Sequence, residues 1–177
     1  TSRGEPLLFP DQITDYLHHL KEFNFPFIEL QTNGILLQKN KEKYDKYLRL
    51  WYEKGLTTIT ISVVSHRPEL NKKNYMQDNS DYINLPELID YLHDLKFCVR
   101  LTCVCCKNMM DNSQEVAEFI KFAKENQVEQ VTLRPVNDEY RRESAHLWIL
   151  ENKLTDENKK DIKDYLEKNG TKLLELE

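Results

Sequence analysis

Hydrophobic and polar positions along this chain follow two alternating periods. Apolar residues at helical spacing predict helices over residues 11–23, 41–54, 85–95 and 113–125, the last with Ser113 as a candidate N-cap. Runs rich in β-branched residues predict strands over residues 26–32, 57–64, 98–105 and 128–136. Two more helical stretches and a short strand over residues 172–176 close the chain. Strands that alternate with helices of this length indicate βαβ units and a parallel sheet.

Each predicted strand carries one apolar and one polar face. Ile28 and Leu30 oppose Glu29 and Gln31, and the other three strands repeat the pattern with threonine, serine or arginine on the polar side. Strands buried on both faces of an open parallel sheet read instead as nearly continuous apolar runs. Because burying an unpaired charge is costly, we predict a curved sheet with its polar face inside, around a charged ligand. The alternative is an open sheet whose polar face is solvated.

Length and composition limit the classes of protein to which this chain can belong. A chain of 177 residues fits one domain, with a core over residues 1–136 and a tail of helices and a short strand over residues 137–177. A net charge of −5 gives no general attraction to nucleic acid or to anionic membranes, and no apolar run is long enough to span a bilayer. Four cysteines within nine positions cannot easily pair with each other, which favours a reducing, cytoplasmic setting.

A series of short motifs follows this pattern along the chain. Gly4-Glu5-Pro6 precedes the first helix, the next strand ends in Thr-Asn-Gly, the strand after it ends near Ser62, and residues 132–136 read TLRPV. In this order of motifs the chain resembles the radical S-adenosylmethionine (SAM) superfamily, in particular members whose second strand ends in GGEP. Arg3 occupies the position of the first glycine of GGEP. The resemblance covers residues 1–136 and weakens beyond them. It implies an α/β fold, a partial (β/α) barrel of parallel strands with outer helices, truncated on its N-terminal side.

The resemblance also implies a SAM-binding site at the carboxyl ends of the strands. The loop of Gly4, Glu5 and Pro6 would hold the methionyl amino group through its backbone, with Glu5 bracing the loop. Thr32 and Asn33 would line the same cavity. The hydroxyl of Ser62 would contact the ribose or the carboxylate of SAM.

Basic residues are the candidates for binding acidic groups. In relatives a basic residue soon after the strand of Ser62 pairs with the carboxylate of SAM; Lys73 is our candidate here, and Lys72 and Arg67 remain alternatives. They fall in residues 65–82, which we predict to be a long polar loop over the cavity. Arg100 and Arg134 lie on the polar strand faces and would meet either that carboxylate or an acidic group of a substrate.

Members of this superfamily bind a [4Fe–4S] cluster through three cysteines spaced CxxxCxxC. An electron from the cluster cleaves SAM and releases a 5′-deoxyadenosyl radical, which then abstracts a hydrogen atom. That spacing is absent here. Cys103 and Cys105 fall on the face that we assign to the outer helices and are interpreted as small buried hydrophobic residues; Cys106 lies at the strand end. We therefore expect a piece of a longer enzyme, which contributes no metal ligand and no catalytic residue and is inactive alone.

Two other functions remain open at this point. The second hypothesis is a cluster-free barrel module that binds SAM or a nucleotide without catalysis. A lyase or aldolase barrel is disfavoured, because the chain has four glycines and no strand lysine on a polar face. The resemblance does not select a substrate.

A truncated barrel would also expose the edge of the strand over residues 27–32, and an unpaired parallel edge invites association.

Overall fold

The structure is a computed structural model, and it describes residues 4–76, 80–136 and 143–174. In this part of the chain the strands are β1 (Glu29–Thr32), β2 (Thr58–Val63), β3 (Cys98–Cys105) and β4 (Gln130–Pro135). The helices are α1 (Pro10–Leu20), α2 (Ile35–Lys39), α3 (Lys41–Glu53), α4 (Pro68–Tyr75), α5 (Leu85–Asp94), α6 (Ser113–Glu125), α7 (Glu143–Asn152) and α8 (Asp156–Asn169). Two short 3₁₀ turns, Pro6–Leu8 and Lys21–Phe23, flank α1.

The four strands form one parallel sheet in the order β1-β2-β3-β4. The predicted α/β class and the parallel sheet are therefore confirmed. Consecutive strands are neighbours, and β1 and β4 form the two edges of the sheet within the described residues. The strand at the β1 edge is shorter than predicted, because only Glu29–Thr32 pair with β2.

One face of the sheet is the core of the molecule. Ile59, Ile61 and Val63 on β2 and Val99 and Leu101 on β3 are fully buried. Residues from α1, α3, α5, α6 and α8 belong to the same apolar cluster, so these helices cover this face. Burial of large side chains such as Trp51 and Phe119 supplies the main favourable free energy of folding.

The opposite face of the sheet, which we call the polar face, is organised in rows by the strand register. From the amino to the carboxyl ends of the strands, the first row is Glu29, Thr58 and Cys98; the second is Gln31, Thr60, Arg100 and Gln130; the third is Ser62, Thr102 and Thr132; the fourth is Val104 and Arg134. Alternation of side chains along each strand places these residues on the same side. On β2 and β3 the apolar side is fully buried, as predicted; on β1 and β4 it is partly buried, and Thr58, Thr60 and Thr102 of the polar face are buried as well.

Two local predictions are wrong. The predicted loop after β2 contains helix α4, which starts at Pro68, carries Glu69 in its first turn and carries Lys72 and Lys73 in its last turn. This arrangement of charges favours a helix through its dipole, although the segment has little apolar periodicity. The N-cap of α6 is Asn112, not Ser113, because the Asn112 side chain accepts a hydrogen bond from the backbone of Glu115.

The ends of other elements also differ from the prediction. Helix α1 ends at Leu20, and residues 21–23 continue as a 3₁₀ turn that stops at Asn24, whose φ is 50°. The unpredicted helix α2 follows β1 directly. Of the predicted last strand, residues 172–174 do not form a strand, and residues 175 and 176 lie outside the described residues. No helix in the described parts of the chain is long and apolar enough to cross a membrane.

Two threonines of the polar face can be used to test whether buried hydroxyls without a hydrogen-bond partner lower the stability of the fold. The hydroxyls of Thr58 and Thr60 are buried and make no hydrogen bond with any described residue. A buried hydroxyl without a partner costs about 1–3 kcal/mol, so Thr58→Val and Thr60→Val are each expected to raise the free energy of unfolding in urea by about 1 kcal/mol. Thr32→Val is the control: its hydroxyl is hydrogen-bonded, so this variant is expected to be less stable. A loss of stability in the first two variants would contradict the prediction.

Candidate functional site

The carboxylate of Glu5 joins the Gly4-Glu5-Pro6 loop to the end of β1. Its Oε1 accepts hydrogen bonds from the Thr32 hydroxyl at 2.6 Å and from the Leu7 backbone at 3.0 Å. Its Oε2 accepts one from the backbone N–H of Asn33 at 2.9 Å. Two motifs that are far apart in the sequence therefore meet at the carboxyl end of β1, where parallel α/β sheets bind their ligands.

The Thr-Asn-Gly segment is held by its own side chains. The Thr32 hydroxyl accepts a hydrogen bond from the Gly34 backbone at 3.1 Å, and Oδ1 of Asn33 accepts one from Ile35 at 3.0 Å at the start of α2. Gly34 has a φ of 74°, and a Cβ there would lie 2.9 Å from Leu88. Thr32 is buried and lies on the same side of β1 as Leu30, so its hydroxyl serves this turn.

The backbone next to Glu5 is open. Gly4 has a φ of 120°, which L side chains rarely adopt, and a Cβ built on it would meet nothing within 4 Å. Pro6 begins the 3₁₀ turn and has a fixed φ. The backbone of Gly4 is therefore accessible to a ligand from the side that a side chain would otherwise occupy.

Ser62 lies on the polar face, in the third row. Its hydroxyl accepts a hydrogen bond from the side-chain amide of Gln31 at 3.0 Å, and both residues are partly or largely accessible. Gln31 directly precedes Thr32, so this contact places Ser62 next to the strand end that Glu5 braces. The structure thus brings together Glu5, Thr32 and Asn33, with Ser62 on the neighbouring strand.

Arg100 is occupied by its neighbours. Its Nη1 lies 2.6 Å from Oε2 of Glu29, and its Nε donates to Oε1 of Gln130 at 2.8 Å, with Nη2 directed at the same oxygen. The guanidinium also lies 5.9 Å from the centre of the Phe27 ring. Because Glu29 compensates its charge, Arg100 does not present a free positive charge to an anion.

Arg134 and the basic residues of the α4 region differ in their contacts. Arg134 is exposed at the carboxyl end of β4, and its side chain makes no ion pair with a described residue. Lys72 pairs with Asp81 at 2.9 Å, and Arg67 pairs with Glu115 at 2.7 Å. Lys73 is exposed and forms no ion pair within the described residues. Within the described residues, no hydrogen bond or ion pair joins Lys73, Arg100 or Arg134 to Glu5, so the structure does not assemble all predicted residues around one point.

Asn71 is an organising residue that the sequence analysis missed. It is fully buried on α4; its Oδ1 accepts from the backbone of Val64 at 2.9 Å, and its Nδ2 donates to the carbonyls of Ser65 and Arg67 at 2.6 and 3.2 Å. It therefore fixes the chain just after β2, next to Ser62. The sequence did not indicate that Asn71 is buried, because it is an asparagine in a segment of turn-like composition.

The four cysteines are free thiols. Cys103 and Cys105 are buried on the apolar side of β3, as predicted, and Cys106 donates to the sulfur of Met109 at 3.5 Å. The hydrogen bond with Cys105 and burial raise the pKa of the Cys103 thiol, and burial raises the pKa of Cys106. A protonated, buried thiol is a poor metal ligand. Within the described chain, no three His, Cys, Asp or Glu side chains are grouped to hold a metal ion.

A cleft of about 650 Å³ lies at the other end of the sheet. It is lined by Asp90, His93, Asp94, Lys96, Phe97, Cys98, Gln127 and Glu129. His93 lies 3.3 Å from Glu129, whose Oε2 already accepts a hydrogen bond from the Val99 backbone at 2.7 Å. The polar groups that converge on this cleft thus brace the start of β3.

No protein-family model matches the chain, and no curated protein matches it significantly.

The Glu5 contacts can be tested by a nearly isosteric change. In Glu5→Gln one oxygen is replaced by an NH₂ group that faces the N–H of Asn33, so a donor meets a donor. We expect a loss of about 1–3 kcal/mol in the free energy of unfolding and faster hydrogen exchange at the Asn33 amide. Glu22→Gln, at an exposed position, is the matched control and should change neither quantity. Equal effects of the two substitutions would disprove the role of Glu5.

Asn71 has a control on its own helix. Asn71→Ala removes three hydrogen bonds, two of them buried, and leaves the Val64 N–H without a partner, so we expect a loss of about 2–3 kcal/mol in the free energy of unfolding in urea. Asn74→Ala removes two exposed hydrogen bonds, to the Leu70 carbonyl and to the Met109 sulfur, and is expected to change stability by less than about 0.5 kcal/mol. If both variants unfold at the same urea concentration, Asn71 does not hold the segment after β2.

Proposed function

We propose that this chain is the core of a radical SAM enzyme, which cleaves SAM reductively to a 5′-deoxyadenosyl radical. The observation that carries the proposal is the set of hydrogen bonds that Glu5 accepts from Thr32 and Asn33. Through it, the two motifs on which the resemblance depends share one site at the carboxyl end of a parallel strand. The protein would be a cytoplasmic oxidoreductase, and its four free thiols support a reducing compartment.

In this proposal the sheet is part of a (β/α) barrel whose polar face lines the lumen. The open backbone at Gly4 suits the amino group of SAM, because a carbonyl there can accept hydrogen bonds at close range. The hydroxyl of Ser62, oriented by Gln31, keeps its own proton for donation to the ribose or the carboxylate. Lys73 is the basic residue near β2 without an ion pair to a described residue, which supports it over Lys72 and Arg67 for the SAM carboxylate.

The cysteines of this chain do not fit a [4Fe–4S] cluster. Cys103 and Cys105 are buried on the apolar face of the sheet, and Cys98 is on the polar face at the opposite end of β3 from Cys106. The three cluster ligands would therefore have to come from outside residues 1–177. The same observation favours a second candidate function, a barrel module that binds SAM or a nucleotide without a cluster.

Iron uptake and SAM cleavage distinguish these two functions. After anaerobic reconstitution with iron and sulfide, the natural full-length protein is expected to bind about four irons per cluster and to release 5′-deoxyadenosine from SAM. Residues 1–177 alone are expected to do neither. A full-length protein that binds SAM but no iron would be the cluster-free module, and one that binds neither would refute both functions.

A pair of serine variants locates the site in the same experiment. Ser62→Ala in the full-length protein is expected to weaken SAM binding by about tenfold, the equivalent of one lost hydrogen bond. Ser113→Ala, at the start of α6, removes the same hydroxyl away from the polar face and should leave the affinity unchanged. Equal affinities of the two variants would move the SAM site away from Ser62.

A further inference from the structure

Charge is distributed unequally along the polar face. The first two rows contain one arginine, Arg100. Its positive charge is compensated by Glu29, 2.6 Å away, and its side chain is also hydrogen-bonded to Gln130. The fourth row contains Arg134, which faces Val104 across the ladder and has no acidic partner among the described residues. The amino-terminal half of the polar face is therefore electrically balanced, and its carboxyl-terminal half carries an uncompensated positive charge.

Three hydroxyl side chains lie next to this charge; Ser62 and Thr132 are partly exposed, whereas Thr102 is buried. Ser62, Thr102 and Thr132 occupy the same row on three adjacent strands, as the register shows. Since neighbouring strands lie about 4.8 Å apart, the three hydroxyls span roughly 10 Å across the sheet. Thr132 is two residues before Arg134 on β4, a distance of about 7 Å along the strand.

This combination suits one chemical class of ligand. A guanidinium presents a planar fork of donors that matches a carboxylate or a phosphate, and a charged hydrogen bond of this kind is among the strongest that proteins make. Hydroxyl side chains both donate and accept, so a row of them matches a ligand body that also carries hydroxyl groups. An apolar ligand would cover the partly exposed hydroxyl of Thr132 without offering it a hydrogen bond.

We infer that the polar face binds a small acid whose body carries hydroxyl groups, with its anionic group on Arg134 and its hydroxyls next to Thr132, the partly exposed hydroxyl of the third row on the same strand. This rests on the proposed function, in which the acid is the substrate and lies beside SAM. The anionic group is a carboxylate or a phosphate, since both fit the same fork. Arg100 is not its partner, because Glu29 and Gln130 already hold that side chain.

Binding of simple acids tests this inference. Malate, glycerol 3-phosphate and succinate are titrated into the full-length natural protein and followed by NMR; the first two test the carboxylate and the phosphate, and succinate lacks the hydroxyl of malate. Arg134→Gln is expected to weaken binding of malate or of glycerol 3-phosphate by about tenfold or more. Arg49→Gln, on α3, removes the same charge far from the polar face and should leave binding unchanged. Thr132→Val is expected to abolish the preference for malate over succinate.

The outcomes separate the inference from the proposed function. No binding of either hydroxylated acid to the wild-type protein, or equal weakening by Arg134→Gln and Arg49→Gln, overturns the inference. SAM affinity is measured on the same variants: if Arg134→Gln weakens SAM as much as the acids, Arg134 holds the carboxylate of SAM and the inference falls while the proposed function stands. If the acids bind through Arg134 and SAM does not bind at all, the acid site stands and the proposed function falls.

Discussion

The parallel register of the four strands is the constraint on which the rest of the structure depends. Side chains alternate along a strand, so a slip of one residue would exchange the two faces of the sheet. The apolar set on β2 and β3 is fully buried, and such a slip would expose it while burying arginine and glutamate. Once the register is fixed by the core, the rows of the polar face follow without further choice. The pairing of Glu29 with Arg100 and the position of Ser62 beside Gln31 are consequences of it.

Glu5 shows how a short motif can have a role in the fold that is independent of any ligand. Its carboxylate accepts three hydrogen bonds and satisfies the backbone N–H groups of Leu7 and Asn33. Thr32 in turn satisfies the N–H of Gly34. The presence of these two side chains is explained by the turn itself. These contacts support the proposed site because they bring the two motifs together, and the groups that they leave for a ligand are the open backbone of Gly4 and the Ser62 hydroxyl.

The sequence predicted the parts of the structure that depend on apolar periodicity. The four strands, the helix over residues 41–53 and the burial of Cys103 and Cys105 follow from that pattern. Helix α4 was missed because its stability depends on charges placed along its dipole and on Asn71, whose three contacts are with the chain around β2. A hydrogen-bonding role of this kind leaves no periodic signal in the sequence.

The sequence predicted which residues share the polar face, but not which of the charged side chains on that face are paired. Arg100 and Arg134 are the same residue type on the same side of the sheet, and the sequence treats them alike. Their difference arises from the strand register, which brings Glu29 and Gln130 to Arg100 and sets Val104 beside Arg134. In a parallel α/β sheet, the helices that follow the strands also begin at the carboxyl edge and add positive potential there. Both effects act in the same direction at the carboxyl end of β4, so the part of the polar face around Arg134 is the part that favours an anion.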